Sequence, residues 1–341
     1  MVDAILKEAE LRKEYINGKV ETVYFGGGTP SLLTTPQLTG MIQQFKILFD
    51  IADDAEITLE ANPDDINSEK LEGWKQVGIN RLSIGIQSFA DADLRWMNRA
   101  HDATQAHNSI LLAQQHGFHN ISIDLIYGTP TLDDQQWQEN LETAISLGIP
   151  HLSCYALTVE PKTALEKMIA QNKMENTDPE KQARHFELLM EWLETAGYEH
   201  YEISNFAKPG MRSRHNSSYW KGMHYLGLGP SAHSFNSSSR QWNVANNSLY
   251  ISSLEKNIIP FEIEALTSAQ QLNEYIMTSL RTSEGLSLNH IKNGWGEEKL
   301  NLILDSIDPY VQSGHADITD DMLRLTKKGK LMADGIASAL F

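Results

Sequence analysis

An α/β fold with a parallel sheet and helices outside it is the architecture this sequence predicts, and three observations carry the expectation. Strand-like runs at 21–26, 56–61, 80–87, 120–127 and 151–158 alternate with helical patterns, as in consecutive βα units. Two of the intervening helices end on Gly78 and Gly117, each just before the next strand, where glycine suits a helix C-cap. The strands also divide their faces. Ile57, Leu59 and Ala61 oppose Thr58, Glu60 and Asn62; Leu82, Ile84 and Ile86 oppose Ser83, Gly85 and Gln87; Ile121, Ile123 and Leu125 oppose Ser122 and Asp124. Strands flanked by helices usually read as continuously apolar, and a barrel filled by side chains alone has a branched, apolar interior. A polar inner face, with functional groups late in each strand, points instead to an open or wide barrel that holds a polar ligand.

Taken in order, MVDAILKEAELRKEYI reads as a charged amphipathic helix rather than a signal peptide. ETVYFGGGTPS follows as a strand running into three glycines. Val23 and Phe25 point one way and Tyr24 and Gly26 the other, and the glycine turn lets backbone lie against a ligand. Helical patterns TPQLTGMIQQFKILF, SEKLEGWKQVG, ATQAHNSILLAQQHG and DDQQWQENLETAISLG fill the gaps between strands. Beyond about residue 160 the pattern becomes a helix near 178–196, a strand at 198–204, and a Gly/Ser/Asn-rich stretch at 208–248 expected as loops with short elements. SAQQLNEYIMTSLRT, LSLNHIKNGWG and EEKLNLILDSI are helical, and the last residues read as a hairpin followed by a helix, a winged-helix-like arrangement. The expected organisation is a core over 1–207, a connecting region over 208–260 and a mainly helical domain over 261–341.

Composition narrows the function classes. A formal charge of −17 over 341 residues argues against bulk nucleic-acid binding, which needs a basic footprint. No apolar run reaches the length of a membrane span. The single cysteine, Cys154, excludes an intrachain disulfide and suits a cytoplasmic location; it is expected as a small buried strand residue. His107, His116 and His119 are expected at the surface.

The stretches YFGGGTPS, EANPDD, INRLSIGIQSF, NRAHDATQA, ISIDLIYGTP, YEISNFAKPG, RHNSSYW and LGLGPSAHSF, in that order, resemble the HemN/HemW branch of the radical S-adenosylmethionine (SAM) superfamily. The resemblance implies a radical SAM (β/α)6 partial barrel, with SAM, a [4Fe–4S] cluster and heme as cofactors. Gly27, Gly28 and Thr29 match the segment along the methionine portion of SAM, and Glu60 the acceptor for its amino group. Gln87 and Arg99 match ligand positions, Asp124 the carboxylate that grips ribose, and Ala156 a backbone contact near adenine. His215, Tyr219 and Trp220 match the HNxxYW motif tied to heme, with His215 a candidate iron ligand and His233 a further candidate. Read without the family, the glycines also suit a plain strand-to-helix turn, the strand-end acids suit loop anchors, and the aromatic motif suits a patch closing the barrel mouth.

The implied role is heme chaperone, with heme and heme-acceptor proteins as partners and transient contact with membrane proteins as a further option. Oxygen-independent coproporphyrinogen III oxidase is the alternative, and a cluster-free interaction protein a third. No residue is expected to be catalytic. The family begins with a strand leading into CxxxCxxC, and neither lies within this sequence. The barrel is therefore expected to be incomplete, lacking its first strand, with a truncated product favoured over a genuine cluster-free relative. No residue of this chain is expected to ligate the cluster, and the apolar edge of the ETVYFG strand is expected to be exposed. Oligomeric state and the identity of the acceptor are left open.

Overall fold

In a computed structural model, which describes residues 1–341, seven strands form one sheet in the order β1-β2-β3-β4-β5-β7-β6. They are β1 (Val20–Phe25), β2 (Ile51–Ala61), β3 (Arg81–Gln87), β4 (Ile121–Tyr127), β5 (His151–Ala156), β6 (Glu199–Glu202) and β7 (Asn205–Ala207). β2 to β5 pair in parallel, Glu60 lying opposite Ser83, Ser83 opposite Ser122 and Ser122 opposite His151. The segment expected as one strand at 198–204 instead becomes the β6–β7 hairpin, with β7 antiparallel to β5. β2 starts at Ile51, ahead of the expected residue 56, because exposed Asp53 and Asp54 hide its first half from an apolar pattern.

Helices α1 (Val2–Leu11), α2 (Thr35–Leu48), α3 (Ser68–Gln76), α4 (Asp91–Trp96), α5 (Ala103–Gln115), α6 (Asp134–Ser146), α7 (Ala164–Ala170) and α8 (Pro179–Thr195) accompany these strands. Three of them start on capping boxes, Thr34 with Gln37, Asp102 with Gln105, and Asp133 with Gln136. Each box satisfies two backbone donors that an uncapped helix would leave open.

The chain divides into two compact units. One comprises Tyr24–Leu32 and Ile57–Ser213. Its core combines the apolar strand faces, with Leu59, Leu82, Ile84, Ile123 and Leu152 fully buried, and the inward faces of helices carrying Trp74, Ile110, Trp137 and Leu189. The Tyr127 ring packs 5.6 Å from Trp137 and 6.2 Å from Phe186. The opposite strand face is buried as well, yet polar: Thr58, Arg81, Ser83, Ser122, His151 and Ser153 lie there. Such a face holds together only if its polar groups find one another. The Ser122 hydroxyl lies 2.7 Å from His151 Nδ1, His151 Nε2 lies 2.7 Å from the Tyr201 hydroxyl, and Ser153 donates to Asn205 Oδ1 at 3.0 Å. Burial, then the Arg81 charge, pushes the His151 pKa well below its ordinary value, so the relay is neutral.

The other unit comprises Met1–Val23, Leu33–Glu56 and Arg214–Phe341. After α9 (Arg214–Trp220) come β8 (His233–Phe235), β9 (Ser239–Asn243), α10 (Asn247–Leu254) and β10 (Phe261–Ala265), with sheet order β10-β9-β8. The 208–248 stretch thus carries short elements among loops, as expected, with local Asn and Ser side chains bracing it; Asn236 Oδ1, for example, accepts from the Ser238 and Ser239 amides. Ala4, Tyr250 and Leu254 form a small core, and two charges of α1 are buried beside it. Glu8 pairs with Arg12 at 3.2 Å and accepts from the Tyr250 hydroxyl, Asn243 and the Gly229 amide. Fully partnered, this carboxylate fixes the GLGP turn; half-partnered, it would be costly.

The C-terminal part runs α11 (Ser268–Leu280), β11 (Leu286–Ser287), α12 (Leu288–Trp295), α13 (Glu297–Gln312), β12 (Ala316–Thr319), β13 (Met322–Leu325), α14 (Lys327–Lys330) and α15 (Ala333–Ser338). Helix, strand, two helices and a hairpin, with sheet order β11-β13-β12, is the winged-helix arrangement expected from the sequence.

Candidate functional site

The first cluster sits at the C-terminal ends of the strands. Strand parity puts Tyr24, Gly26, Glu60, Gly85, Gln87 and Asp124 on the polar face. Glu60 is the hub: it accepts from the Tyr24 hydroxyl at 2.8 Å and from the Gly27 amide at 3.1 Å. Gly26 must be glycine here, because a Cβ would stand 2.5 Å from the Tyr24 ring and 2.7 Å from Glu60 Oε1. Gly27 takes φ 77° to turn its amide toward that carboxylate. Gly28 and Thr29 continue the turn, exposed, with the Thr29 carbonyl accepting from the Leu32 amide.

Across the sheet, Asp124 is pushed up to about 7, first by burial and then by the neighbouring Glu60 charge, against the Ser153 hydrogen bond and the Arg81 and Arg99 charges. Tyr24 is raised by the same pair of causes, burial and Glu60. Arg99 donates to Asn62 Oδ1 at 3.1 Å, while its Nε is buried without a partner. Gln87 folds its amide over Gly85, where a Cβ would stand 2.9 Å from Nε2 and 3.6 Å from the Arg99 guanidinium. Glu60, Gly27, Asp124, Gln87 and Arg99 therefore form one neighbourhood. Ala156 ends β5 opposite Tyr127.

The second cluster lies on α9. The Glu56 carboxylate accepts from the Arg214 and His215 amides at 3.2 and 3.0 Å, capping a helix too short to stand alone. Arg214 reaches Asp54 at 3.4 Å and Glu21 at 3.6 Å. His215 and Tyr219, one turn apart, meet edge to face at 4.9 Å, and His215 Nδ1 lies 3.1 Å from the Thr22 hydroxyl. Tyr219, 40% exposed, meets Tyr225 at 4.7 Å, and Tyr225 stacks on Phe235. Trp220 points elsewhere: the Arg281 guanidinium lies 5.3 Å over its ring, and its indole nitrogen is buried without a partner. His233 is exposed on β8 beside Trp242.

Several members escaped the sequence reading. Tyr24 was legible from its parity with Gly26. Asn62 was likewise legible on the polar face, and Tyr225 joins through nearby Tyr219, whereas Glu56 and Thr22 carried no local signal, since each joins its cluster only through a partner far along the chain.

The chain's own residues do not fit an iron–sulfur cluster. Cys154 is buried on the apolar face of β5, burial raises its thiol pKa, and no group of three His, Cys, Asp or Glu side chains could hold a metal ion. S-adenosylmethionine is a better match to the strand-end cluster, which offers carboxylates, an unpaired guanidinium nitrogen and side-chain-free backbone.

Comparison with known proteins agrees with the fold. The model of the Radical SAM superfamily matches residues 2–144, and that of the HemN C-terminal domain matches residues 266–332. A Bacillus subtilis protein, "Heme chaperone HemW", is 33% identical over 94% of this chain and 85% of its own length. Its namesake from Mycobacterium tuberculosis H37Rv is 33% identical over 99% and 85%. One from Escherichia coli K12 is 35% identical over 68% and 61%. The solved structure of coproporphyrinogen III oxidase (HemN) from Escherichia coli has a TM-score of 0.84 at 23% identity, covering 99% of this chain and 82% of that one. A radical SAM sheet with a HemN-type C-terminal domain, and a third of its residues shared along nearly the whole chain, place this protein in the HemW family of the radical SAM superfamily.

Proposed function

We propose that this chain binds heme through α9 and passes it to acceptor proteins, and that the strand-end cluster holds S-adenosylmethionine. The relatives' shared name supports the first part. The observation that carries it is α9 itself: His215 sits on a capped helix with its ring against Tyr219, and Tyr219 presents an exposed aromatic edge. His215 Nδ1 lies 3.1 Å from the Thr22 hydroxyl, an imidazole is a ligand type suited to heme iron, and the aromatic edges suit the macrocycle.

For the second part, Glu60 would accept from the amino group of the methionine moiety and Asp124 from the ribose hydroxyls. Arg99 and Gln87 would supply donors, and Gly27 and Gly28 the close backbone wall. Bound S-adenosylmethionine would supply a sulfonium and an adenosyl group; the residues here bind and orient it. No helix is long and apolar enough to cross a membrane.

Hemin titration followed by gel filtration tests the heme reading. His215→Ala should shift the Soret band and release heme during filtration, with unchanged far-UV circular dichroism. A Soret band and retention indifferent to His215 and to Tyr219→Ala would move the heme site away from α9.

A further inference from the structure

Gln87 has φ 66°, a backbone conformation that residues other than glycine rarely adopt. The Ser88 amide donates to the Ile86 carbonyl at 2.8 Å, closing a three-residue turn around Gln87. This is the positive-φ form of the γ-turn, which is rare and strained, and such strain persists only where the surroundings over-determine it. The β3–β4 register also shifts between Ile84 and Gln87, which resumes the pairing opposite Leu125.

Two buried side chains, His101 and Asn140, hold the turn. His101, 3% exposed, places Nε2 3.0 Å from the same Ile86 carbonyl. A carbonyl only accepts, so Nε2 carries the proton, and Nδ1 is the bare nitrogen, buried without a partner. Burial first of all lowers the His101 pKa, with the Arg99 charge adding to it, against the Ile86 hydrogen bond and the Asp64 and Asp102 carboxylates. On the far side, Asn140, 2% exposed, accepts from the Phe89 amide at 2.7 Å and donates to the Ser88 hydroxyl at 3.1 Å. The consequence is steric. With the turn held, the Gln87 amide lies over Gly85 beside the Arg99 guanidinium; relaxed to ordinary φ, its side chain would leave that place.

We propose that His101, seconded by Asn140, is the positioning residue of the adenosyl site: its imidazole N–H locks the strained turn that keeps Gln87 beside Arg99 and ready for the ligand. This rests on the strand-end cluster being the S-adenosylmethionine site. His101 itself touches no ligand.

The test compares His101→Phe, which keeps a planar ring and loses the donor, with His101→Gln, which keeps a side-chain N–H. Binding of S-adenosylmethionine by equilibrium dialysis and exchange of the Ser88 amide are read on the whole chain. His101→Phe should weaken binding about tenfold and speed Ser88 exchange about tenfold over the amides of β4, while His101→Gln restores most of both. Should His101→Phe fail to fold, Gly85→Ala reports on the same point. Its Cβ meets only the flexible end of Gln87, so the chain folds but the amide is displaced and binding weakens. Wild-type affinity and Ser88 protection in His101→Phe, or wild-type affinity in Gly85→Ala, overturns the proposal even where Arg99→Ala abolishes binding. If Arg99→Ala binds as well as the wild type, or the wild type does not bind, the site reading fails and the proposal with it.

Discussion

Two glutamates on one strand, Glu56 and Glu60, do opposite kinds of work. Glu60, at the strand ends, accepts from one hydroxyl and one glycine amide and so holds the glycine turn and Tyr24 together. Glu56 is buried, 5% exposed, and both of its oxygens cap a short helix that carries an aromatic motif. The parity of β2 gives the two the same face; what each one meets decides whether its charge serves recognition or architecture. A buried carboxylate is tolerable only with donors aimed at it, and the first turn of α9 supplies them.

The sharpest way to break this contrast is to remove each carboxylate and cross the assays. Glu60→Ala should weaken S-adenosylmethionine binding by about 1–3 kcal/mol, roughly 5- to 150-fold, and leave heme titration unchanged. Equal adenosyl affinity by dialysis would reduce Glu60 to a prop for the glycine turn.

Glu56→Ala should do the reverse. Loss of a cap on two amides costs about 1–2 kcal/mol of stability by urea denaturation and loosens heme retention, with adenosyl binding intact. Heme retention equal to the wild type would mean that α9 holds its shape without the cap. The double variant should add within about 0.5 kcal/mol, since side chains four residues apart on a strand share no partner.

A pH series sharpens the strand-end cluster. Asp124 has a folded value of about 7 against 3.8 for the free carboxyl, so between those values the folded state binds more protons than the unfolded one. Its contribution to folding is full at low pH and lost as pH rises through about 7. Asp124→Asn should therefore melt progressively higher relative to the wild type from about pH 4 to about pH 7, with no further gain above. A difference in melting temperature that stays flat over that range would show that Asp124 is not held protonated by its surroundings.

Periodicity made much of this molecule legible. The two-residue alternation in ITLEAN, RLSIGIQ and ISIDLIY named the strands, their buried apolar side and the polar face on which Glu60, Gln87 and Asp124 stand, because side-chain direction in a strand follows from parity alone. Gly78 and Gly117 marked helix ends for an equally local reason, each taking a positive φ just past its helix. The short helix of HNxxYW was foreseeable as a face shared by His215 and Tyr219. The β6–β7 hairpin was not, since the two strands are too short for a pattern and a tight reversal looks like one strand in sequence.

What only tertiary structure decided is which distant residues meet. Glu8 and Arg12 look like surface charges on an amphipathic helix, yet both are buried: Tyr250, Asn243 and Gly229 arrive to partner Glu8, and Gln241 arrives to partner Arg12. Glu56 becomes a helix cap for residues 158 and 159 positions later, and His101 reaches back to the carbonyl before a strained turn. Local sequence sets backbone conformation and side-chain direction through short-range sterics. The partner that satisfies a buried charge, or holds a strained turn, comes from chain closure over long separations, and no local pattern encodes it.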